Sequence, residues 1–130
     1  LFLADGALRE GFKGESILRP QEGEEESVTL STIHQAKGLE WRTVFIIGLC
    51  DGQFPHPKSV DDPSKLEEER RLLYVAATRA KDRLYLLYPM TRFDYNYGTI
   101  VSRPSLFLQE LEEGCFEKWE VTEAEFPEEY

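Results

Sequence analysis

Two short runs constrain this chain more than anything else in it. Thr43 to Leu49 (TVFIIGL) and Arg83 to Tyr88 (RLYLLY) are apolar almost without a break. Strands of that kind are usually buried on both faces, as in a parallel sheet. Between them, Ser64 to Ala80 reads as a helix. Ser64 followed by Glu67 has the form of a capping box, and Glu67, Glu68 and Glu69 suit the positive end of the helix dipole. Arg79, Lys81 and Arg83 gather at the other end. Strand, helix and strand in that order predict a βαβ unit with a right-handed crossover. The fold class is α/β.

The rest of the chain is arranged around that unit. Leu1 to Glu10 keeps helical spacing at Leu1, Ala4 and Leu8 and reads as the end of a helix. Residues 11–27 hold three glycines, Pro20 and the run Glu24-Glu25-Glu26, so they read as an acidic linker with a boundary near Ser27. Val28 to Thr32 is predicted as a strand, and residues 33–40 as a turn or one helical turn stopped by Gly38. Residues 50–63 form a loop with three prolines. Residues 89–103 form a second loop, rich in Arg and Tyr. A short helix follows with Pro104 in its first turn. The tail, 112–130, is acidic, with one strand expected around Trp119 to Val121 because a tryptophan is a large area to leave in water.

Charge is uneven along the chain. The net charge is −10, but residues 28–108 carry eleven basic and nine acidic side chains while the two ends carry the acidity. A negative total is therefore weak evidence against a nucleic-acid partner. No run approaches the ~18 apolar residues of a membrane span. Asp5, Arg9 and Glu10 interrupt the opening apolar run, which argues against a signal peptide. Cys50 and Cys115 form no CxxC pair, which disfavours a zinc site or disulfide framework and suits a reducing compartment. The chain begins without Met, as a fragment would.

Two places carry chemistry. On the long helix, Leu72, Val75, Ala76 and Arg79 follow i, i+3, i+4, i+7, so an arginine continues a core stripe. It must find an anion, since an unpaired buried charge is costly. That anion is an internal carboxylate or, alternatively, a phosphate, whose oxygens a planar guanidinium fits well. The EEERR run (67–71) by itself is a solvated helix face. The second place is 28–41, where Thr29, Ser31, Thr32, His34, Gln35 and Lys37 crowd the end of a strand. Ligands in open α/β sheets bind beyond the carboxyl ends of strands. A histidine in a turn, such as His34 or His56, is also commonly just capped or solvated.

Five stretches occur in one order: VTLSTIHQAKGLEW (28–41), VFIIGL (44–49), FPHP (54–57), LEEERRLLYVAATRAKDRLYLLY (66–88) and RPSLFLQEL (103–111). Together they resemble the C-terminal part of UvrD/PcrA/Rep-type superfamily 1 DNA helicases. The first resembles motif V and the fourth motif VI. The resemblance covers about residues 28–111. It implies the second of two RecA-like domains, a three-layer α/β fold with a mostly parallel sheet, represented here in part. It also implies ATP-dependent 3′→5′ movement on single-stranded DNA and at single/double-strand junctions, in a cytoplasmic, nucleoid-associated DNA-repair setting with no membrane. The chain contains no GxxxxGK(S/T) phosphate loop and no acidic Mg²⁺ motif. ATP with Mg²⁺ would thus be shared with an N-terminal RecA-like domain that carries the metal ligands, and this chain alone is expected to be inactive.

Roles transfer position by position. Arg79 matches the motif VI arginine that reaches the γ-phosphate and acts as an arginine finger. Glu40 matches the motif V glutamate that bonds the ribose, with Gly38 letting the backbone approach and Lys37 in support. Thr32 and His34 match DNA-facing positions where a hydroxyl and an imidazole bond phosphate. His56 matches a histidine that contacts single-stranded DNA. Tyr97 matches an aromatic on which a base stacks. Two extra residues between Arg79 and Tyr97 leave Tyr95 as an alternative. No metal ligand is expected in this chain. A helicase-like binding module without ATPase activity, or the helicase part of a RecB/AddA-type helicase-nuclease, would carry the same motifs.

Overall fold

The computed structural model describes residues 27–123. Among them the elements run α1 (Ile33–Ala36), β1 (Trp41–Ile46), a 3-10 turn (Pro57–Ser59), α2 (Pro63–Ala77), β2 (Ala80–Leu86), β3 (Thr91–Asp94), β4 (Gly98–Val101) and α3 (Leu106–Gln109). The helix expected over Leu1 to Glu10 and the linker up to residue 26 lie outside the described residues.

The βαβ unit is present. β1 and β2 are neighbours in one sheet, with α2 between them in the chain. The Trp41 N–H donates to the Arg79 carbonyl at 2.9 Å, and the Leu49 N–H donates to the Leu87 carbonyl at 3.0 Å. The partner numbers rise together, as parallel strands require.

The chain divides into two compact units, one of residues up to Ile46 with Glu67–Tyr85, the other of Ile47–Leu66 with Leu86 onward. In the first, Ala36, Ile46 and Ala76 are buried. Leu72, Val75 and Arg79 are half-buried, so the helical stripe does face inward. Burial of the strands is partial, contrary to the expectation from their apolar runs: Ile46 is the one buried residue of β1, and Lys81 to Leu84 of β2 are all exposed. Phe45 is 61% exposed, and its ring stacks on Tyr85 at 4.7 Å. The sheet here has two strands, and an apolar run is buried on both faces only where layers cover both.

α2 starts one residue earlier than predicted and is capped differently. Asp62 Oδ1 accepts the Ser64 N–H at 3.1 Å and the Lys65 N–H at 3.3 Å, while the Asp62 carbonyl accepts from Leu66. Asp62 is thus the cap, and Pro63 takes the first helical position, where its missing N–H costs nothing. The Ser64–Glu67 capping box does not form; Glu67 pairs with Arg70 at 3.1 Å. Asp62→Ala should cost about 1 kcal/mol and Ser64→Ala clearly less, read from thermal denaturation of the two variants.

Val28 to Thr32 is irregular and exposed rather than a strand. A strand needs a ladder partner, and none pairs with it among the described residues. Trp119 to Val121 also forms no strand. Trp119 is 68% exposed, with its indole N–H donating to Glu117 at 3.2 Å. The loop over 89–103 is instead an antiparallel hairpin, β3 with β4, in the register Thr91↔Val101 to Asp94↔Gly98. Asp94 caps its turn by accepting the N–H groups of Asn96 and Tyr97, and Gly98 takes φ +74°.

The second unit is centred on Leu49, Cys50, Ser105 and Phe107, all buried. The Ser105 N–H donates to the Leu49 carbonyl at 2.8 Å, and Asp51 N–H to Arg103 at 2.8 Å. Ser105 also caps α3 through its hydroxyl, so Pro104 precedes the cap instead of lying in the first turn. Phe54 meets Phe107 edge-on at 5.5 Å. No helix among the described residues is long and apolar enough to cross a membrane.

Candidate functional site

Arg79 lies just past the C-terminal end of α2, where the chain turns into β2. Its Nε donates to the Val75 carbonyl at 3.1 Å, Nη1 to the Leu39 carbonyl at 3.1 Å, and Nη2 to Thr78 Oγ1 at 3.3 Å. The first of these acceptors is a helix-end carbonyl, which has no partner within the helix and favours a cation. All three acceptors are neutral oxygens. Among the described residues no carboxylate forms an ion pair with Arg79, so its charge is held in place without being neutralised. Two of the five guanidinium N–H donors remain beyond these bonds.

The same contacts bring the 33–41 segment against the end of α2. The Arg79 side chain bonds Leu39, and the Arg79 carbonyl accepts from Trp41. Glu40 sits between those two anchors, exposed, with Oε1 3.6 Å from Lys81 Nζ. Arg79 and Glu40 are therefore gathered at the amino ends of β1 and β2. This corrects the expectation that a site would lie beyond carboxyl ends, which relied on a strand over Val28 to Thr32. The end of a helix and the start of a strand meet here, and that junction supplies both the carbonyls and the arginine. Gly38 has φ +83°, and a Cβ there would meet nothing within 4 Å. Within this chain, glycine is required by the left-handed backbone after α1 and not by crowding. Lys37 is exposed beside it.

Thr32 caps α1, its Oγ1 accepting the Gln35 N–H at 3.2 Å; the hydroxyl proton is not used in that bond. His34 is exposed on the single turn of α1. These two belong to the first unit. His56 and Tyr97 belong to the second. His56 caps the 3-10 turn, with Nδ1 accepting the Lys58 N–H at 3.2 Å, which puts the proton of the neutral ring on Nε2. Tyr97 is 81% exposed and Tyr95 97%, both in the hairpin turn, and Tyr95 meets Phe93 edge-on at 5.7 Å. Caps and solvent exposure thus account for Thr32, His34 and His56 locally, while each still presents a polar group at the surface.

Sequence reasoning passed over three residues that the structure places beside these. Thr78 accepts from Arg79 and donates to the Val75 carbonyl at 2.9 Å. Lys81 faces Glu40. Asp94 organises the turn carrying Tyr95 and Tyr97. Asp-Tyr-Asn-Tyr-Gly has the composition of a hairpin turn, a signal that could have revealed the last. The residues fit a nucleotide on two counts: Arg79 offers an uncompensated charge for phosphate oxygens, and the exposed carboxylate of Glu40 is a hydroxyl acceptor. For Mg²⁺, no group of three His, Cys, Asp or Glu side chains suited to a metal occurs among the described residues.

The fold and the candidate site together define an α/β chain whose parallel βαβ unit holds an arginine bonded to three neutral oxygens. Comparison narrows the class. The family described as UvrD-like helicase C-terminal domain matches residues 3–91. DNA helicase II of Escherichia coli (strain K12) is 43% identical over 113 residues, covering 84% of this chain and 16% of that protein. ATP-dependent DNA helicase Rep of Buchnera aphidicola is 47% identical over 107 residues, covering 82% of this chain and 16% of the relative. ATP-dependent DNA helicase UvrD1 of Mycobacterium tuberculosis (strain H37Rv) is 46% identical over 84 residues, 65% of this chain and 11% of its own length. The chain belongs to the UvrD-like helicase C-terminal domain family. It spans 16% or less of the length of these relatives.

Proposed function

We propose that this chain is the C-terminal motor-domain part of an ATP-dependent 3′→5′ DNA helicase, working against an N-terminal RecA-like domain of the same protein. The observation that carries this reading is the Arg79 guanidinium, oriented by three neutral oxygens and in no ion pair with a carboxylate among the described residues. An arginine held by neutral acceptors keeps its charge available to an anionic ligand. In this role Arg79 offsets charge on the phosphoryl group being transferred, while the Mg²⁺ ligands and the phosphate loop come from the partner domain. Glu40 accepts hydrogen bonds from the ribose hydroxyls. Thr32 and His34 bond the phosphates of single-stranded DNA, as does His56, and Tyr97 stacks on a base. The sequence-tolerant contacts suit an enzyme that moves along any strand, with this chain forming part of a three-layer RecA-like domain.

Glu40 tests the nucleotide half of this reading. A charged hydrogen bond contributes about 1.5–3 kcal/mol, so Glu40→Ala in the full-length helicase should raise KM for ATP by roughly 10- to 100-fold with kcat little changed. The variant should also lose the preference for ATP over its 2′,3′-dideoxy analogue. Retained discrimination between the two nucleotides would reject Glu40 as the ribose contact.

A further inference from the structure

The hairpin turn is tied to the loop that carries His56 by a chain of three residues. Asp94 Oδ1 accepts the N–H of Asn96 at 2.8 Å and of Tyr97 at 3.3 Å. Asp94 Oδ2 lies 3.8 Å from Arg92 Nη1, and both side chains are about three-quarters buried, at 24% exposure each. The Arg92 guanidinium in turn rests on Gly52. A Cβ at Gly52 would come within 2.6 Å of Nη2 and 3.1 Å of Cζ, so the guanidinium end would have to shift, and at φ +83° any other residue would be strained. Gly52 is two residues before Phe54 in the FPHP loop, whose Phe54 N–H is held by the Cys50 carbonyl.

We infer that Arg92 and Asp94 are positioning residues for the binding of an unpaired nucleobase, and that Gly52 is the seat that fixes them. The inference rests on the proposal that the hairpin turn contacts single-stranded DNA. Asp94 pins the two amides that set the path of the turn, and so where the Tyr95 and Tyr97 rings are presented. Arg92 keeps the Asp94 carboxylate in that pose. Arg92 is the kind of residue ordinarily assigned to phosphate binding in a DNA-binding domain, but here its charge faces Asp94 and its guanidinium lies close against Gly52. It therefore acts through the turn and adds nothing to the count of neutralised phosphates.

That distinction has a direct readout. A phosphate contact contributes close to one unit to the slope of log affinity against log salt, and a positioning residue contributes none. The experiment measures binding of an oligothymidylate to the full-length helicase across a salt series. Arg92→Met and Asp94→Ala should each weaken binding by roughly 3- to 10-fold with the salt slope unchanged. Asp94→Asn keeps an oxygen for both amides and should recover most of the Asp94→Ala loss. Removing the rings, Tyr95→Ala with Tyr97→Ala, should weaken binding by about 5- to 100-fold. In that background Asp94→Ala should then do nothing more. A salt slope lowered by about one in Arg92→Met would overturn the inference, as would an undiminished Asp94→Ala effect once the rings are gone. If removing the rings leaves binding unchanged, the underlying assignment of the turn to DNA fails instead.

Discussion

Arg79→Ala in the full-length helicase is expected to cut kcat for DNA-stimulated ATP hydrolysis by roughly 10³-fold, the low end of what an arginine finger supplies. Affinity for single-stranded DNA without nucleotide should hardly move. Folding should hold as well. The substitution releases the Val75 and Leu39 carbonyls and Thr78 Oγ1, half-exposed neutral groups, and strands no carboxylate among the described residues. A cost near 1 kcal/mol is consistent with that. Were Arg79 an internal ion-pair partner, its loss would instead leave a buried charge and cost about 3–5 kcal/mol. Arg79→Lys should rescue poorly. An ammonium has three donors on one atom and cannot hold three protein oxygens while reaching a phosphate. The assignment would be sunk by a destabilised variant whose folded fraction hydrolyses ATP at the normal rate.

The largest stability effect should come from Leu49→Ala. Leu49 is 2% exposed, and its backbone is bonded on both sides, N–H to Leu87 and carbonyl to Ser105. With the backbone held, the site cannot collapse around a smaller side chain. The expected loss is about 2–5 kcal/mol, large against the stability of a domain this size. Chemical denaturation followed by circular dichroism should show a lower midpoint at an unchanged slope. An unchanged midpoint would mean that Leu49 is not central to the second unit. The two variants form a pair: the first is expected to slow the chemistry and leave the fold, the second to weaken the fold and touch no candidate site residue.

Much of the architecture was legible in local pattern. TVFIIGL and RLYLLY announced paired parallel strands, because a period-free apolar run of that length has few other homes. The stripe Leu72, Val75, Ala76, Arg79 announced which face of α2 turns inward and that an arginine would end it. Gly38 announced the stop after α1. The hairpin was hidden by its own composition. Arg92 and Asp94 alternate with Thr91 and Phe93, so the inward positions are the charged ones, and a rule that expects apolar residues inside reads the segment as loop. The capping of α2 was misread because Ser64 and Asp62 both suit a cap; Pro63 decides between them, since it fits the first helical turn and not its interior.

The candidate site divides along the same line. Which family the chain belongs to was legible in residue identity and order alone, and the same order singled out Arg79, Glu40, Gly38 and Thr32 as candidates. A charge continuing a core stripe demands a counterpart wherever the chain goes. Only the tertiary structure decided what that counterpart is. The choice between a carboxylate and neutral oxygens depends on which backbone carbonyls come within hydrogen-bond distance of the guanidinium, and Leu39 does so at 3.1 Å from 40 residues away in sequence. The same holds for the Arg92 guanidinium against Gly52 and for the exposure of Phe45. Contacts between distant segments are set by how strands register and helices pack, and no local pattern encodes a distance between residues that are not neighbours.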